Sequence, residues 1–522
     1  MNKEISKILI AGTEYDIRDS RFDEASQAET ARQEAETARQ EAEQGRATAE
    51  QQRADAEAAR AEEFATFEGK IAAKEDAANK VTSIGADADD RHYPSAKAVW
   101  TAIEEKFWYG VEWDLTISDP TCTRIGNMEL HRTLPVQSQM RGCLLADDGT
   151  VNKYLNPDDW TSEVRDGSQG MVMVELPRYF RKFEEDGNKI RLKLSLLPLD
   201  GFHEVKKKYV SAYEAAIERS TGKLCSVVNE GTNYRGGAND STWDGTYKSQ
   251  LGMPVTNISR IAFRTAARKR GTINWNCYTY DIHKDLYWLY VCEYATLNSQ
   301  ATYTEELTAD GYHKGGLGAG VIAMSNWDKY NSYRPVAKCG LTDYAGNKTT
   351  QMALHLENDD ASSVSNVNVP RYRGVEHPFG HIWKITDAVN VLISPTEANG
   401  GDGTSKVYVC DNPNYFNDSN VDGYKYIGNE ARNESYVKRL LLGESGEIVP
   451  ILCSGAGSST YYCDYHYTDI PSSASALRMW MLGGSASFGS IAGFVCVYSH
   501  LAPSPARTNF GSRLCFIPTS TN

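Results

Sequence analysis

The stretch AETARQEAETARQEAEQGRATAEQQRADAEAAR, residues 28–60, carries the strongest pattern in the sequence. A seam of mostly alanine residues begins at Ala28 and repeats every seven residues, and a second seam begins three positions later at Ala31. Small residues at this spacing line one face of a helix and can pack against another helix. Glutamate and arginine hold two further positions of the repeat, where they can pair within or between helices. The pattern predicts an α-helical coiled-coil stalk over residues 23–80.

The alanine seam is small, so each heptad of such a stalk would bury little apolar area. No proline interrupts the segment, and alanine, glutamate, glutamine and arginine are strong helix formers. A rod whose two ends are held by stable oligomeric units fits these properties. A single solvated helix and a disordered charged linker are the alternatives that the repeat leaves open.

The chain has 522 residues and a formal net charge of -14, so we expect several structural units in an acidic protein. An acidic chain without a long run of lysine or arginine is poorly suited to bind phosphates, which argues against a nucleic-acid partner. Its 30 tyrosines and 10 tryptophans offer rigid contact area with a polar tip, which suits a recognition surface. The alternative is that these rings fill β-rich cores.

The sequence shows neither a signal peptide nor an apolar stretch long enough to span a bilayer, so we expect no membrane insertion. The eleven cysteines include no CxxC pair and no zinc-finger spacing. We therefore predict buried free thiols, no metal site and no other cofactor. Free thiols are typical of a protein made in a reducing cytoplasm.

The first 22 residues show a short alternating pattern. Apolar residues from Ile8 to Ile17 alternate on both sides of Ala11-Gly12-Thr13, which predicts a β-hairpin. An isolated hairpin is marginal in water, so we predict that residues 1–22 form a docking element that needs a partner. A frayed terminus is the alternative.

The rest of the chain divides by composition into three regions. Residues 81–108 are predicted to form a helical joint, because Pro94 suits a helix start after a break rich in glycine and aspartate. Residues 109–200 are predicted to be a β-rich connecting region, and residues 201–522 to hold a few helices among many loops. The predicted strands are 171–177 and 190–196, and the predicted helices are Ser259–Arg270 and Asp285–Ser299.

Several segments of the C-terminal part share an order with a known fold family. Phe379–Asp387 is similar to a Gly-Asn-Val-Trp-Glu-Trp element, and Asn509–Leu514 is similar to a closing Gly-Phe-Arg element. Both elements belong to the formylglycine-generating-enzyme branch of C-type-lectin-like folds. Further segments resemble the same branch in the same order: Pro254–Ser259, Tyr287–Ala295 and Gly483–Ser485.

With a stalk in front, this order is similar to that of the variable proteins of diversity-generating retroelements, and the whole chain resembles tail fibres of Bacteroides-infecting phages. The resemblance implies a multidomain α+β fold with an N-terminal coiled-coil stalk, a β-rich region and a C-type-lectin-like domain. It implies a virion tail-fibre protein that is synthesised in the host bacterial cytoplasm and forms a homotrimer. The N-terminus would dock on a phage tail or baseplate protein, and the C-terminal domain would bind a bacterial surface receptor, either protein or glycan. The implied function is host adsorption, without enzyme activity.

In this family, adenine-directed mutagenesis rewrites codons near the C-terminus. Randomised AAC or AAT codons cannot encode Lys, Glu, Gln, Met or Trp, and none of these residues occurs from Leu482 to Asn522. We therefore predict a variable segment over about 482–517 within a receptor-binding domain of residues 201–522. Five apolar residues of this segment are expected to be buried scaffold: Phe494, Cys496, Phe510, Leu514 and Phe516. The predicted receptor-binding residues are Leu482, Ser485, Ser487, Phe488, Ser490, Ile491, Val495, Val497, Tyr498, His500, Leu501, Ser504, Pro505, Arg507 and Thr508.

Copper-dependent oxidase chemistry is one enzymatic alternative, since the formylglycine-generating branch uses a pair of thiols near this segment. Cys496 lies in the matching region and Cys515 follows the closing element. The position of the second thiol of the pair holds His500 or Leu501 instead, which argues against that chemistry. A histidine metal site is also disfavoured, because a proline interrupts the helical spacing of the only candidate pair, His377 and His381.

A tailspike enzyme that degrades capsule or surface polysaccharide is the second alternative. It would need two carboxylates on either side of a glycosidic bond, for which Asp464, Asp469 and Glu376 are candidates. Acidic residues are frequent throughout the chain, so these candidates carry little weight. A purely structural fibre segment is the third alternative, and it leaves the large domain rich in tyrosine, tryptophan and glycine without a role.

Overall fold

A computed structural model of the protein describes residues 7–16, 20–74, 80–81, 93–94, 96–244, 249–303, 307–320, 335–357 and 364–518. The chain divides into two compact units, Met1–Thr101 and Ala102–Asn522. Strand accounts for 31% and helix for 22% of the chain, with five α-helices in the described part.

The first unit contains a hairpin and one long helix. Strands β1 (Lys7–Ile10) and β2 (Thr13–Asp16) pair in antiparallel fashion around Ala11 and Gly12, which both have positive φ angles, 51° and 82°. This geometry suits a two-residue turn, and it confirms the predicted hairpin. The remaining elements are α1 (Ser20–Lys74), β3 (Lys80–Val81), β4 (Tyr93–Pro94) and the start of α2 (Ala96–Glu104).

No long coiled-coil stalk is evident in the described part of the chain, so the predicted coiled-coil stalk was wrong. Every described side chain from residue 26 to residue 65 is exposed, including both alanine seams. Within the helix, glutamate and arginine pair at i,i+3 spacing, as in Glu29–Arg32 (2.9 Å) and Glu36–Arg39 (2.8 Å). These pairs and a high helix propensity favour a helix on their own. An alanine seam buries too little area to require a partner helix.

The second unit contains three further helices and most of the strands. The helices are α3 (Met128–Thr133), α4 (Arg260–Arg268) and α5 (Tyr280–Tyr294). The strands up to α4 are β5 (Trp108–Asp114), β6 (Thr123–Gly126), β7 (Arg141–Leu145), β8 (Val151–Tyr154), β9 (Met171–Leu176), β10 (Tyr179–Asp186), β11 (Lys189–Ser195), β12 (His203–Val205), β13 (Lys208–Ser211), β14 (Ala216–Glu218) and β15 (Lys223–Cys225). The later strands are β16 (Trp275–Cys277), β17 (Thr350–Glu357), β18 (Val364–Tyr372), β19 (Val375–Glu376), β20 (Trp383–Ile393), β21 (Ser405–Val409), β22 (Lys425–Asn429), β23 (Ser435–Leu441), β24 (Val449–Gly455), β25 (Tyr465–Thr468), β26 (Ala476–Leu482), β27 (Val497–Ser499), β28 (Phe510–Gly511) and β29 (Leu514–Phe516).

Three sheets form most of this unit. A five-stranded sheet has the order β12-β10-β11-β5-β6, and a six-stranded sheet has the order β16-β29-β13-β9-β7-β8. The nine-stranded sheet has the order β22-β21-β20-β26-β27-β25-β23-β24, with β28 paired to β20. In the six-stranded sheet, Tyr209 of β13 lies opposite Phe516 of β29. The predicted boundary at residue 200 therefore falls inside one unit, whose sheets combine strands from both sides of it.

Helix α5 lies in the centre of the core. Every side chain of this helix except that of Asp281 is buried. Its apolar side chains pack on all sides, and its buried polar side chains have partners, as burial of polar groups requires. Trp288 Nε1 donates to the carbonyl of Gly446 at 2.6 Å, and Asp285 pairs with Lys208 at 2.6 Å. The helix ends five residues before the predicted end, because Ala295 adopts a left-handed conformation with a φ of 51°.

The predicted α+β fold class with a C-type-lectin-like domain was wrong as well. The structure is mostly β and includes a half-barrel sheet. Long stretches rich in Gly, Asn and Tyr, which carry little helical periodicity, pair as strands over large separations in sequence. None of the helices in the described ranges is long and apolar enough to cross a membrane.

Candidate recognition surface

The predicted receptor-binding residues occupy three different environments. Four are buried: Leu482, Ser485, Val495 and Val497. Three are exposed: Ser490, Ser504 and Arg507. Eight are half-buried at the surface: Ser487, Phe488, Ile491, Tyr498, His500, Leu501, Pro505 and Thr508. The four buried side chains cannot contact a ligand on the surface, so they are not part of a recognition surface. The five residues expected to be scaffold are all buried, as predicted: Phe494, Cys496, Phe510, Leu514 and Phe516.

Hydrogen bonds to interior residues fix the inner side of the loop between β26 and β27, which explains why several residues of this loop are buried. The amide of Val495 donates to Asp464 Oδ2 at 2.7 Å, and the amide of Phe494 donates to Ser299 Oγ at 2.9 Å. Gln300 Nε2 donates to the carbonyl of Gly489 at 2.9 Å. These bonds fix the loop on its inner side, and its outer residues, such as Phe488, stay at the surface.

Four tyrosines from three adjacent strands share one face of the nine-stranded sheet. Tyr436 of β23 lies opposite Tyr465 of β25, and Tyr467 of β25 lies opposite Tyr498 of β27. Side chains two residues apart on a strand point to the same face, so Tyr465 and Tyr467 share that face. We call Tyr436, Tyr465, Tyr467 and Tyr498 the tyrosine row.

The rings of the tyrosine row are in contact from one end to the other. Ring centroids lie 5.2 Å apart between Tyr436 and Tyr465, 4.6 Å between Tyr465 and Tyr467, and 5.7 Å between Tyr467 and Tyr498. His500 continues the line by stacking on Tyr498 at 5.5 Å, with planes only 18° apart. All five side chains are half-buried, so each ring keeps part of its surface open to solvent.

Two further rings support the row from its side. Phe488 lies edge-on to Tyr467, with centroids 5.5 Å apart. The buried Trp383 contacts Phe488 at 5.2 Å and Tyr498 at 5.3 Å. Edge-to-face pairs of this kind stabilise aromatic clusters beyond the area they bury. The rings of the tyrosine row are therefore held in place by their packing against Phe488 and Trp383.

Charged side chains border the row at its His500 end. The two imidazole nitrogens of His500 each lie 4.0 Å from a carboxylate, one of Glu434 and the other of Asp469. Arg478 pairs with Asp469 at 2.9 Å. Burial raises the pKa of the Tyr498 phenol, while the charge of the exposed Arg507 opposes that shift. Half-exposed carboxylates and a guanidinium thus lie beside stacked rings.

A buried carboxylate holds the strands together beneath the row. Glu430 accepts hydrogen bonds from Trp480 Nε1 at 2.9 Å and from the Ser499 hydroxyl. His466, also buried, lies 3.8 Å from the same carboxylate. Burial disfavours the charged imidazole, but the neighbouring Cys453 and Glu430 side chains outweigh it and raise the pKa of His466 to about 10. Through His466, Trp480 and Ser499, Glu430 thus connects β25, β26 and β27 beneath the row.

The carboxylates considered for polysaccharide cleavage do not share an open groove. Asp464 is buried, and burial raises its pKa to about 7. Glu376 is buried elsewhere, where it accepts bonds from Thr342, and burial together with Asp343 raises its pKa to about 7. Of the three candidates, only Asp469 lies at the surface, and it is paired with an arginine.

The thiols and histidines considered for redox or metal chemistry are interior groups. All eleven cysteines are free and buried, as predicted, and burial raises the pKa of both Cys496 and Cys515. His377 and His381 stack at 4.4 Å, and His381 bonds to the buried Glu214 at 2.5 Å. Among the described residues, no group of three or more His, Cys, Asp or Glu side chains is placed to hold a metal ion.

Sequence reasoning missed the part of the surface that lies outside the C-terminal segment. Tyr436, Tyr465 and Tyr467 come from β23 and β25, and Glu434 and Asp469 border them. A local signal was present, because Tyr-His-Tyr at 465–467 alternates with a period of two and indicates one aromatic face of a strand. The pairing of this strand with β27 carries no local signal.

No protein-family model matches the sequence, and no curated protein is significantly similar to it.

Proposed function

We propose that this protein is a phage tail-fibre adhesin that binds a receptor on the bacterial surface. The proposal follows from the resemblance of its sequence to fibres of Bacteroides-infecting phages. We further propose that the protein forms a homotrimer, that it docks on a phage tail or baseplate protein, and that it is part of the virion. One structural observation supports it most. The tyrosine row lies open on one face of the nine-stranded sheet and combines Tyr498 with residues from two other strands.

The composition of this surface matches what a binding site needs. Tyrosine and arginine are enriched among residues that dominate binding energy, because they combine large contact area with polar groups. Residues of the predicted variable segment lie at its edge, namely Phe488, Tyr498, His500 and Arg507. Changes at such surface positions would alter the ligand while the buried scaffold keeps the fold.

The proposed mechanism is non-covalent adsorption. Several copies of one surface at the tip of a fibre would bind with high avidity, because the first contact raises the effective concentration of the next. Weak contacts at each copy then suffice, and no bond in the receptor has to be broken.

Binding of the labelled full-length protein to a panel of gut bacterial strains tests this proposal. The parent is compared with a triple variant, Phe488→Ala, Tyr498→Ala and Arg507→Ala, whose folding is checked by circular dichroism. Tyr344→Ala is the matched control, since Tyr344 is a 48% exposed tyrosine in a 3-10 helix outside the nine-stranded sheet. We expect the parent and the control to bind the same strains, and the triple variant to bind at least ~10-fold more weakly. Failure of the parent to bind any strain, or equal binding by the triple variant, would contradict the proposal.

A further inference from the structure

The tyrosine row presents its rings in a line. Its four rings come from three adjacent strands and follow one another at centroid distances of 4.6 to 5.7 Å. Side chains opposite each other on neighbouring strands repeat at about 4.8 Å, which sets the two cross-strand spacings, while Tyr465 and Tyr467 follow each other along β25. A linear polymer of rings can therefore place successive units over successive tyrosines. The C–H groups on the face of a sugar ring pack against the face of an aromatic ring, and the sugar hydroxyls stay at the edge.

Polar groups lie where those hydroxyls would be. Glu434 and Asp469 have side chains that are 41% and 40% exposed, and both face His500 beside the row. A carboxylate can accept hydrogen bonds from two neighbouring hydroxyl groups, and an arginine can donate to several oxygens. Arg478 pairs with Asp469, and Arg507 lies near Tyr498. The row thus combines stacking faces with donors and acceptors at its border.

The border of the row is more polar than the centre of a protein interface. In the described stretch from residue 461 to residue 518, no large hydrophobic side chain is strongly exposed, and the exposed Ile451 and Leu452 lie on β24, on the far side of β23 from β25. The centres of protein interfaces are apolar and depleted of charged residues. Here the charged side chains Glu434, Asp469 and Arg507 stand directly beside the rings.

The charge of the protein indicates which class of glycan the tyrosine row can bind. The border of the row carries two carboxylates and two arginines, so its own charge is balanced, while the whole chain has a net charge of -14. That net charge disfavours a polymer that carries many carboxylate, sulfate or phosphate groups. Hydroxyl groups of a neutral sugar meet no such repulsion.

We infer that the ligand of the tyrosine row is a neutral polysaccharide of the bacterial envelope, with its sugar rings stacked along Tyr465, Tyr467 and Tyr498. This inference rests on the proposed function and names the class of receptor, which the sequence left open between protein and glycan. Glu434 and Asp469 would accept hydrogen bonds from the sugar hydroxyls, and the net charge of the chain would disfavour acidic polymers.

Two sets of binding measurements test the inference. In the first, the full-length protein is titrated onto immobilised envelope polysaccharides, neutral and acidic, that are purified from the panel strains. Tyr467→Ala is expected to weaken binding to neutral polysaccharide at least ~10-fold, Tyr467→Phe to keep most of it because the ring remains, and Glu434→Gln to weaken it severalfold. Tyr344→Ala should bind like the parent. In the second, strains that bind the parent are treated with proteinase K or with periodate, which cleaves vicinal diols.

The outcomes separate this inference from the proposed function. We expect periodate to abolish cell binding and proteinase K to leave it intact. Loss of binding after proteinase K, preference for acidic polysaccharides, or cell binding without any polysaccharide binding would overturn the glycan inference while the adhesin proposal stands. Binding to polysaccharides but not to cells would support the inference and overturn the adhesin proposal. Binding to neither would overturn both.

Discussion

Asp464 is a buried carboxyl group whose protonation links the stability of the protein to pH. Burial raises its pKa from the ordinary 3.8 to about 7, so the folded chain keeps a proton that the unfolded chain releases. The free energy of unfolding therefore decreases as pH rises from about 4 to about 7. Asp464→Asn stays neutral, and we expect it to exceed the parent in stability by on the order of 4 kcal/mol at pH 8, but not at pH 4. Urea unfolding at both pH values measures this, and an equal difference at the two pH values would contradict it.

Glu430 is a buried carboxylate with several hydrogen-bond donors around it. Removing its side chain by Glu430→Ala would leave Trp480 Nε1 and the charge of His466 without their partner. Breaking a buried pair in this way costs about 3–5 kcal/mol. We expect a loss of that size in the free energy of unfolding by urea titration. Glu444→Ala is the control, because Glu444 is 87% exposed and should change stability by less than about 0.5 kcal/mol. Similar losses of unfolding free energy in both variants would show that the buried contacts of Glu430 do not stabilise the sheet.

At the scale of residues, sequence could predict side-chain types better than their exposure. The scaffold residue Phe494 was predicted correctly, since large apolar side chains are usually buried. Ser485 and Val497 were expected at the surface but are buried. Their position depends on which face of the sheet each backbone segment presents. That face is decided by hydrogen bonds to distant residues such as Asp464.

At the scale of elements, local periodicity predicted several segments well. The predicted strands 171–177 and 190–196 correspond to β9 and β11, and the N-terminal hairpin is present. The seven-residue repeat predicted helix α1 correctly, but the coiled coil that it also predicted was wrong. The same alanine and charge pattern suits a solvated helix, because pairs such as Glu29–Arg32 form within one helix. Sequence periodicity therefore defined the helix and left its packing open.

The turn after β26 depends on a glycine at position 484. Gly484 has a φ of 74°, and an added Cβ would lie 2.6 Å from the Cβ of Ala492. We expect Gly484→Ala to lower the free energy of unfolding by about 1–3 kcal/mol, because strain and a clash coincide. Gly457→Ala is the matched control, since nothing lies within 4 Å of its added Cβ. Thermal unfolding of both variants measures the difference, and equal stabilities would contradict this account of the turn.

At the scale of the whole molecule, sequence could not predict which strands share a sheet. Tyr209 and Phe516 lie opposite each other although about three hundred residues separate them, and Tyr467 pairs with Tyr498 in a parallel register. Such pairings cannot be predicted from a short stretch of sequence, because the alternation of apolar and polar residues in one strand does not specify its partner strand. The half of the surface built from β23 and β25 was missed for this reason.

The proposed homotrimer is also a property of the whole molecule. The mass of one chain is 57.9 kDa, so light scattering of the full-length protein should give three times that value. No long coiled-coil stalk is evident in the described residues, so we expect Ala35→Ser on the exposed surface of α1 to leave the mass unchanged. A mass of one chain at micromolar concentration would contradict the trimer.

The central claim is that the tyrosine row as a unit, and not the C-terminal segment alone, is the recognition surface. The most direct test is the affinity of the double variant Tyr465→Ala and Tyr467→Ala for a strain that binds the parent, since both residues lie outside residues 482–517. We predict that the folded variant binds at least ~30-fold more weakly than the parent, the loss of about 2 kcal/mol expected at a centre of binding energy. Unchanged affinity in a folded variant would show that β25 takes no part in binding and would contradict the account.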